Sequence, residues 1–374
     1  VRRPLVITGG GTGGHVFAMQ AIAEALIARG VDASRLRYVG SRRGQERLLL
    51  GAGPVVLTRL PGRGLRRSRA PKDLAANALA LGGIALGVVG AAWLMVRRRP
   101  AVVVSVGGYA SFPASLAAVL TNCPLVLVEL DAAPSASHRL LARRARARCV
   151  AFDDATGATV TGAPVRAAIA RVNRDDAARR RQRAELDPPL ATDRSLVVVM
   201  TGSLGSARVN AAVLDLAARW AERTDRAIIH VTGSRDVDWV RAARPSTPGL
   251  DYRVEPFADM AVLWGVCDVA VCRAGASTVA ELTVLGVAAV LVPLPGAPGD
   301  HQTKNARALA REGAAVVLSD VECTGAALAE RLDALLEPGR ADEVGAAARR
   351  LGRRDAAGEI AAVVLAAGDP TWPG

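Results

Sequence analysis

The sequence predicts an α/β protein made of two Rossmann-like, doubly wound units facing a cleft, and three observations predict it. Short apolar runs of strand length alternate with Ala-rich runs of helical length in both halves of the 374-residue chain, the pattern of repeated βα winding. The core must be aliphatic, because hydrophobic residues make up 51% and aromatic residues only 3%; such cores suit parallel sheets covered by helices on both faces. Three of the strand-like runs end in glycine loops, which is where sheets of this kind bind ligands.

The elements follow in order. The first half reads strand Leu5–Thr8, glycine loop, helix Ala18–Ala28, strand Leu36–Val39, a basic loop, a long apolar helix, strand Val102–Val106, a further helix and strand Leu125–Glu129. The charged stretch Asn173–Arg194 then separates the halves. A new strand, Ser195–Met200, opens the second, with later strands at Ala227–Thr232, Tyr252–Glu255, Val269–Cys272 and Ala289–Pro293. The domains expected are residues 1–166, residues 167–342, and C-terminal helices over 343–374 that pack back on the first domain.

Composition narrows the function class. The formal charge of +13 favours anionic partners, whether nucleic acid, an acidic membrane surface or phosphorylated substrates. Nucleic acid is not expected, because the basic clusters lack the interleaved aromatics on which bases stack. The five cysteines (Cys123, Cys149, Cys267, Cys272 and Cys323) are odd in number and lack metal-ligand spacing, so they read as reduced core thiols of a cytoplasmic protein. The chain enters its first strand without a charged segment, apolar core and cleavage site, and secretion is not expected.

Leu74–Val96 is uncharged and closed by Arg97, Arg98 and Arg99, long enough to cross a bilayer, for which about 20 residues suffice. Its Ala and Gly content and the strand that follows at once argue for a crossover helix instead. A membrane crossing would leave the strands Leu5–Thr8 and Val102–Val106 on opposite sides and prevent their sheet. Trp93 with Arg63, Arg66, Arg67, Arg69 and Arg97–Arg99 could still rest on an anionic leaflet, so peripheral attachment is expected.

Gly9-Gly10-Gly11-Thr12-Gly13-Gly14-His15 lies between a strand and a helix. Its backbone amides and the helix N-terminus can cradle a phosphate without side-chain obstruction. The same glycines satisfy GxGxxG, but a dinucleotide site also needs an acidic residue at the end of the second strand. Val39-Gly40-Ser41-Arg42-Arg43 stands there, so NAD is excluded and only an NADP oxidoreductase survives as a weak alternative. Ser105-Val106-Gly107-Gly108-Tyr109-Ala110-Ser111 and Thr201-Gly202-Ser203-Leu204-Gly205-Ser206 repeat the design. Three such loops across two domains point to two phosphate-bearing substrates, or one diphosphate met from both sides of a cleft, and hence to a transferase. His15 follows the first loop, where the helix dipole favours a neutral imidazole able to accept a proton; a loop-capping role is the structural alternative.

These residues, with Gly162-Ala163-Pro164-Val165-Arg166, Cys272-Arg273-Ala274-Gly275-Ala276-Ser277-Thr278-Val279-Ala280-Glu281 and Asp300-His301-Gln302-Thr303-Lys304-Asn305-Ala306, stand in the order found in the MurG family, which the chain resembles from Leu5 to about Ala362. The resemblance implies a GT-B fold and a peripheral membrane enzyme on the cytoplasmic face. Its implied reaction is inverting transfer of N-acetylglucosamine from UDP-N-acetylglucosamine to a polyprenyl-diphosphate-linked muramyl-pentapeptide in peptidoglycan synthesis, with no cofactor.

Roles also come from the resemblance. Glu281 would accept from both ribose hydroxyls, Arg273 and Ser203 would hold the diphosphate, and Phe257 with Ala258 would meet uracil. Ala276, His301 and Gln302 would read the sugar, with Thr12, Gly13, Gly14 and Arg166 reaching the donor from the first domain. Gly107, Gly108 and Tyr109 would face the acceptor diphosphate, and His15 or Asp131 would be the general base. The diphosphate contacts make a metal unnecessary, and no Asp-x-Asp pair stands at a strand end. Glu281 also has a structural reading, as the last member of a capping box Thr278-Val279-Ala280-Glu281.

One departure stands out. Where the family shows His-Glu-Gln-Asn, this chain has Val128-Glu129-Leu130-Asp131, losing an imidazole and an amide. A paralogue with an altered acceptor, or a non-catalytic UDP-sugar-binding protein, therefore stands as an alternative.

Overall fold

The computed structural model describes residues 3–11, 13–42, 50, 55–62, 71–153, 157–202 and 204–368, with only the backbone of residues 71–74. Thr12, Arg43, Arg63, Arg66, Arg67, Arg69 and Ser203 lie outside the described residues. The chain divides into two units, Val1–Ala167 with Arg354–Gly374, and Ala168–Arg353.

The first unit holds strands β1 (Leu5–Thr8), β2 (Leu36–Ser41), β3 (Val56–Leu60), β4 (Val102–Ser105), β5 (Leu125–Glu129), β6 (Ala147–Val150) and β7 (Thr159–Val160) in the order β3-β2-β1-β4-β5-β6-β7. Every neighbouring pair is parallel, and Leu5 stands opposite both Leu36 and Val102. The central strands are apolar on both faces because helices cover both; β1 and β4 are buried at every position. β3 falls within the segment expected as a basic loop. It carries Arg59, is exposed at two of its five positions and, among the described residues, pairs only with β2, so an edge strand lacks the apolar run that marks a buried one.

The long apolar helix spans Pro71–Arg98 and joins β3 to β4. Parallel pairing of β1 with β4 makes it a crossover, as expected. Ala80, Ala91 and Met95 are buried, and the helix packs on Phe112–Leu120. Its opposite face exposes Leu79, Leu86, Val89, Trp93 and Val96; Arg97 lies 5.6 Å from the centre of the Trp93 ring.

The second unit holds β8 (Ser195–Met200), β9 (Arg226–Val231), β10 (Asp251–Glu255), β11 (Val269–Cys272), β12 (Ala288–Leu291) and β13 (Val316–Val317), ordered β10-β9-β8-β11-β12-β13 and again parallel throughout. Val197, Val199, Ile228, Val271 and Val290 meet Leu216, Leu328 and Leu332 of the covering helices in its core. Cys149, Cys267, Cys272 and Cys323 are buried, and burial pushes the Cys149 and Cys323 thiols up to about 12 and about 11.

The C-terminal helices do not travel together. Arg340–Leu351 packs in the second unit against Ala276–Leu285 and β12, burying one stripe that includes Val344, Ala347 and Ala348. Ala356–Gly368 belongs to the first unit and packs on Gly13–Ala28, β4 and β5, with Ile360, Ala361, Val364 and Leu365 buried.

In both sheets the strand order reverses at one point, between β1 and β4 in the first and between β8 and β11 in the second. Open parallel sheets bind their ligands beyond the strand carboxyl ends at such a point. Among the described residues, the segments that follow those four strands are Gly9–Gly11, Gly107–Tyr109, Thr201–Gly202 with Leu204–Ser206, and Arg273–Gly275.

Candidate active site in two halves

In the first unit, the helix Gly13–Ala28 starts inside the glycine loop, so its first amides, which have no acceptor within the helix, lie in that loop. The turn after β4 interlocks with that loop. Gly108 has φ +78°, and a Cβ there would overlap the Gly10 carbonyl oxygen, so only glycine fits. Tyr109 lies against Gly11, its Cε1 2.6 Å from where a Cβ on Gly11 would sit. The corresponding point on Gly107 is 3.6 Å from His15 Nε2 and 3.7 Å from His138 Cε1. His15, Gly107, Gly108 and Tyr109, selected from the sequence as acceptor-side residues, are thus brought together with Gly13 and Gly14. The Arg166 guanidinium sits 4.3 Å from the centre of the Phe17 ring, against the first turns of the same helix. Asp131 follows the end of β5 by two residues, half-buried.

His138 escaped the sequence reading. It is 1% exposed, and its ring joins Glu129 Oε1 at Nδ1 (2.6 Å) and Ser105 Oγ at Nε2 (2.8 Å). The Ser135 amide donates to Glu129 Oε2 at 3.3 Å. The carboxylate accepts from Nδ1, so in the neutral ring the Ser105 hydroxyl donates to Nε2. An imidazole absent at Val128 is therefore present beside Glu129, supplied by the helix Ala136–Leu141. Only its spacing from Ser135, the helix cap, marked it locally.

In the second unit, Gly205 has φ +82° and a Cβ there would press on the Thr232 carbonyl oxygen and the Asp236 carboxylate, 2.5 and 2.6 Å away. Its amide donates to the Gly202 carbonyl at 3.0 Å. Ser206 caps the helix Ala207–Arg219 and also accepts from Arg273 Nη2 at 2.5 Å. Arg273 Nη1 donates to Asp320 Oδ1 (2.6 Å) and to the carbonyls of Val292 (3.1 Å) and Pro293 (3.3 Å). Arg273 is thus bound to the protein at both terminal nitrogens. Its Nε is buried without a hydrogen-bond partner among the described residues.

The capping-box reading of Glu281 is corrected. The helix begins at Ala276 with Gly275 as its N-cap, and no side chain caps it; Thr278 is already in the first turn. Glu281 is 6% exposed, and its Oε2 accepts the Trp264 indole N–H at 2.9 Å. Phe257 is 70% exposed beside Ala258. Gln302 Oε1 accepts from the Leu294 amide at 2.9 Å, and buried Asn305 donates to the Ala274 carbonyl at 3.1 Å. His301 opens that helix and Ala276 the other.

Beneath the second glycine turn runs a network with a consistent direction. Tyr252 O–H donates to His230 Nδ1 (2.9 Å), His230 Nε2–H to Asn210 Oδ1 (2.9 Å), and Asn210 Nδ2 to Asp236 Oδ2 (3.0 Å) and the Thr232 carbonyl (3.2 Å). Burial holds His230 down at about 3, neutral at ordinary pH. Among the described residues no three His, Cys, Asp or Glu side chains group as a metal site.

Two parallel α/β units, each with a glycine turn and a helix start at its switch point, define a glycosyltransferase of the GT-B fold. Residues 5–150 match the glycosyltransferase family 28 N-terminal domain and residues 196–360 its C-terminal domain; the chain belongs to that family and, within it, to the MurG family. The UDP-N-acetylglucosamine--N-acetylmuramyl-(pentapeptide) pyrophosphoryl-undecaprenol N-acetylglucosamine transferase of Alkalilimnicola ehrlichii is 39% identical, over 97% of this chain and 98% of its own. The protein of the same name from Moorella thermoacetica is 37% identical, over 96% and 98%. The crystal structure of Acinetobacter baumannii MurG superimposes with a TM-score of 0.76 at 28% identity, covering 97% of this chain and 99% of that one. The kitacinnamycin glycosyltransferase shares the fold at 16% identity, TM-score 0.70. The oxidoreductase reading is thereby removed.

Proposed function

We propose that this enzyme transfers N-acetylglucosamine from UDP-N-acetylglucosamine to a polyprenyl-diphosphate-linked muramyl-pentapeptide, converting lipid I to lipid II, with inversion at the anomeric carbon. The observation that carries this reading is the 39% identity to a relative so named, sustained over nearly the full length of both chains.

The second unit takes the donor. Glu281 accepts from the ribose hydroxyls, Phe257 and Ala258 meet uracil, and Ala276, His301 and Gln302 read the sugar. The start of the helix at Ala276, together with Ser203 and the charge of Arg273, stabilises the negative charge that develops on UDP as it leaves. The first unit takes the acceptor, with Gly107, Gly108 and Tyr109 at its diphosphate and Thr12, Gly13, Gly14 and Arg166 completing the donor contacts. The acceptor hydroxyl oxygen attacks the anomeric carbon, the bond to the UDP oxygen breaks, and the hydroxyl proton passes to His15 or Asp131. Proximity of His15 Nε2 to Gly107 supports the histidine.

The enzyme works at the cytoplasmic face of the membrane, peripherally attached. The exposed apolar face of Pro71–Arg98, with Arg97 and Arg98 in its last turn and Arg99 just after it, supports this, since apolar insertion and basic attraction to anionic lipid add.

Purified protein with UDP-N-acetylglucosamine and lipid I tests the whole. UDP release that depends on acceptor is the expected result; donor binding without turnover would show a binding protein instead. One observation favours a second reading, a transferase for a different polyprenyl-diphosphate sugar: Val128 and Asp131 replace the family's His and Asn. Turnover with such an acceptor and none with lipid I would select it.

A further inference from the structure

A carboxylate that grips two adjacent ribose hydroxyls must present both oxygens in one orientation, and a glutamate has three side-chain torsions to restrain. Glu281 lies on the helix Ala276–Leu285, among Val279, Ala280, Leu282 and Val284, all buried. Such surroundings constrain the stem by packing. The Trp264 indole N–H, 2.9 Å from Oε2 and on a fully buried ring, gives the carboxylate a direction. An indole N–H suits the task because it orients without carrying a charge, so the carboxylate keeps its own for hydroxyl donors.

Trp264 is itself held from two ends. Its helix, Met260–Val266, is capped at the start by Asp259, which accepts from the Ala261 amide at 2.9 Å. At the other end, carbonyl groups left unpaired by the helix receive arginines from the segment before β8. Arg174 donates to the Trp264 carbonyl and, at 2.9 Å, to that of Cys267; Arg183 donates to the Val266 carbonyl through Nε at 3.0 Å and Nη2 at 2.8 Å. Phe257, the exposed aromatic, precedes the cap by two residues. One short, doubly anchored helix thus connects the exposed ring to the ribose carboxylate.

We infer that Trp264 is a positioning residue for nucleotide recognition, its N–H fixing the Glu281 carboxylate in the plane that reads the ribose diol. The inference rests on the proposal that Glu281 binds ribose. A residue that only filled the core would affect stability and leave selectivity among nucleotides untouched. A residue that aims the carboxylate sets the preference for UDP over 2′-deoxy-UDP.

The test titrates both nucleotides into the full-length wild type, Trp264→Phe and Glu281→Ala by calorimetry. Loss of one hydrogen bond to a charged group corresponds to roughly a 10-fold weakening. UDP affinity is expected to fall about 10-fold in Trp264→Phe, with the preference over 2′-deoxy-UDP shrinking to about 2-fold. Should Trp264→Phe fail to fold, benzothienylalanine at position 264, which has sulfur in place of the N–H, makes the same deletion in the same shape. A full wild-type preference in the variant, alongside weakened UDP binding in Glu281→Ala, overturns the role of Trp264 and leaves the donor site standing. Unchanged UDP binding in Glu281→Ala overturns the donor site, and the inference with it.

Discussion

Lowering the pH from 7 to 5 will destabilise the second unit through one side chain, His230. Its ring is completely buried between Tyr252 and Asn210 and held down at about 3 by desolvation, whereas an unfolded histidine titrates near 6.5. The folded pKa is depressed, so the unfolded chain takes up a proton that the folded one refuses. Stability is then intact above about 6.5 and lost progressively as pH falls toward about 3. At pH 5 the unfolded state lies 1.5 units below its pKa, and the folded state is still neutral; at about 1.4 kcal/mol per unit the loss is about 2 kcal/mol. The assay compares urea unfolding of wild type and His230→Gln, followed at residues of the second unit by hydrogen exchange. The wild type should lose about 2 kcal/mol more than the variant between pH 7 and pH 5. Parallel pH dependences in the two proteins would refute the assignment of a buried neutral imidazole.

Three further outcomes are expected. His138→Ala removes the partner of buried Glu129 at 2.6 Å and should cost the first unit about 2–4 kcal/mol in urea unfolding, with His138→Gln recovering part of the loss. Asp320 joins Arg273 at 2.6 Å and Arg208 at 3.3 Å; Asp320→Asn should weaken UDP binding about 10-fold by calorimetry, because Arg273 then loses the charge that holds it beside Ser206. Trp93 is exposed on the apolar face next to Arg97, and Trp93→Glu should reduce pelleting with anionic vesicles several-fold while leaving turnover of a detergent-solubilised acceptor unchanged. Retention of vesicle binding by that variant would place the membrane contact elsewhere.

Much of the fold was legible because buried parallel strands are continuous apolar runs. Leu125–Glu129, Ser195–Met200 and Val269–Cys272 are strands with the bounds expected of them. The elements missed are those that lack such a run: β3 at the edge with Arg59, β7 and β13 of two residues each, and β6, which includes Arg148. The glycine turns were legible because few other residues tolerate positive φ, as at Gly107, Gly108, Gly202 and Gly205. The polar residues that support those turns were not. His138, His230, Asn210, Trp264 and Asp320 stand alone in sequence, and partners such as Glu129 for His138, Glu281 for Trp264 and Arg273 for Asp320, 9, 17 and 47 residues away, are reached only through the fold.

By itself the sequence determined the class: alternating apolar runs and glycine turns follow from local sterics and burial, and six ordered motifs identify the family. Tertiary structure decided what the residues of those motifs do. Sheet order placed the four loops at two switch points, and the packing of helices on those sheets and on one another brought His138 to Glu129 and Trp264 to Glu281. A hydrogen bond to a buried carboxylate depends on which strands and helices become neighbours, and that is a property of the packed chain rather than of any segment within it.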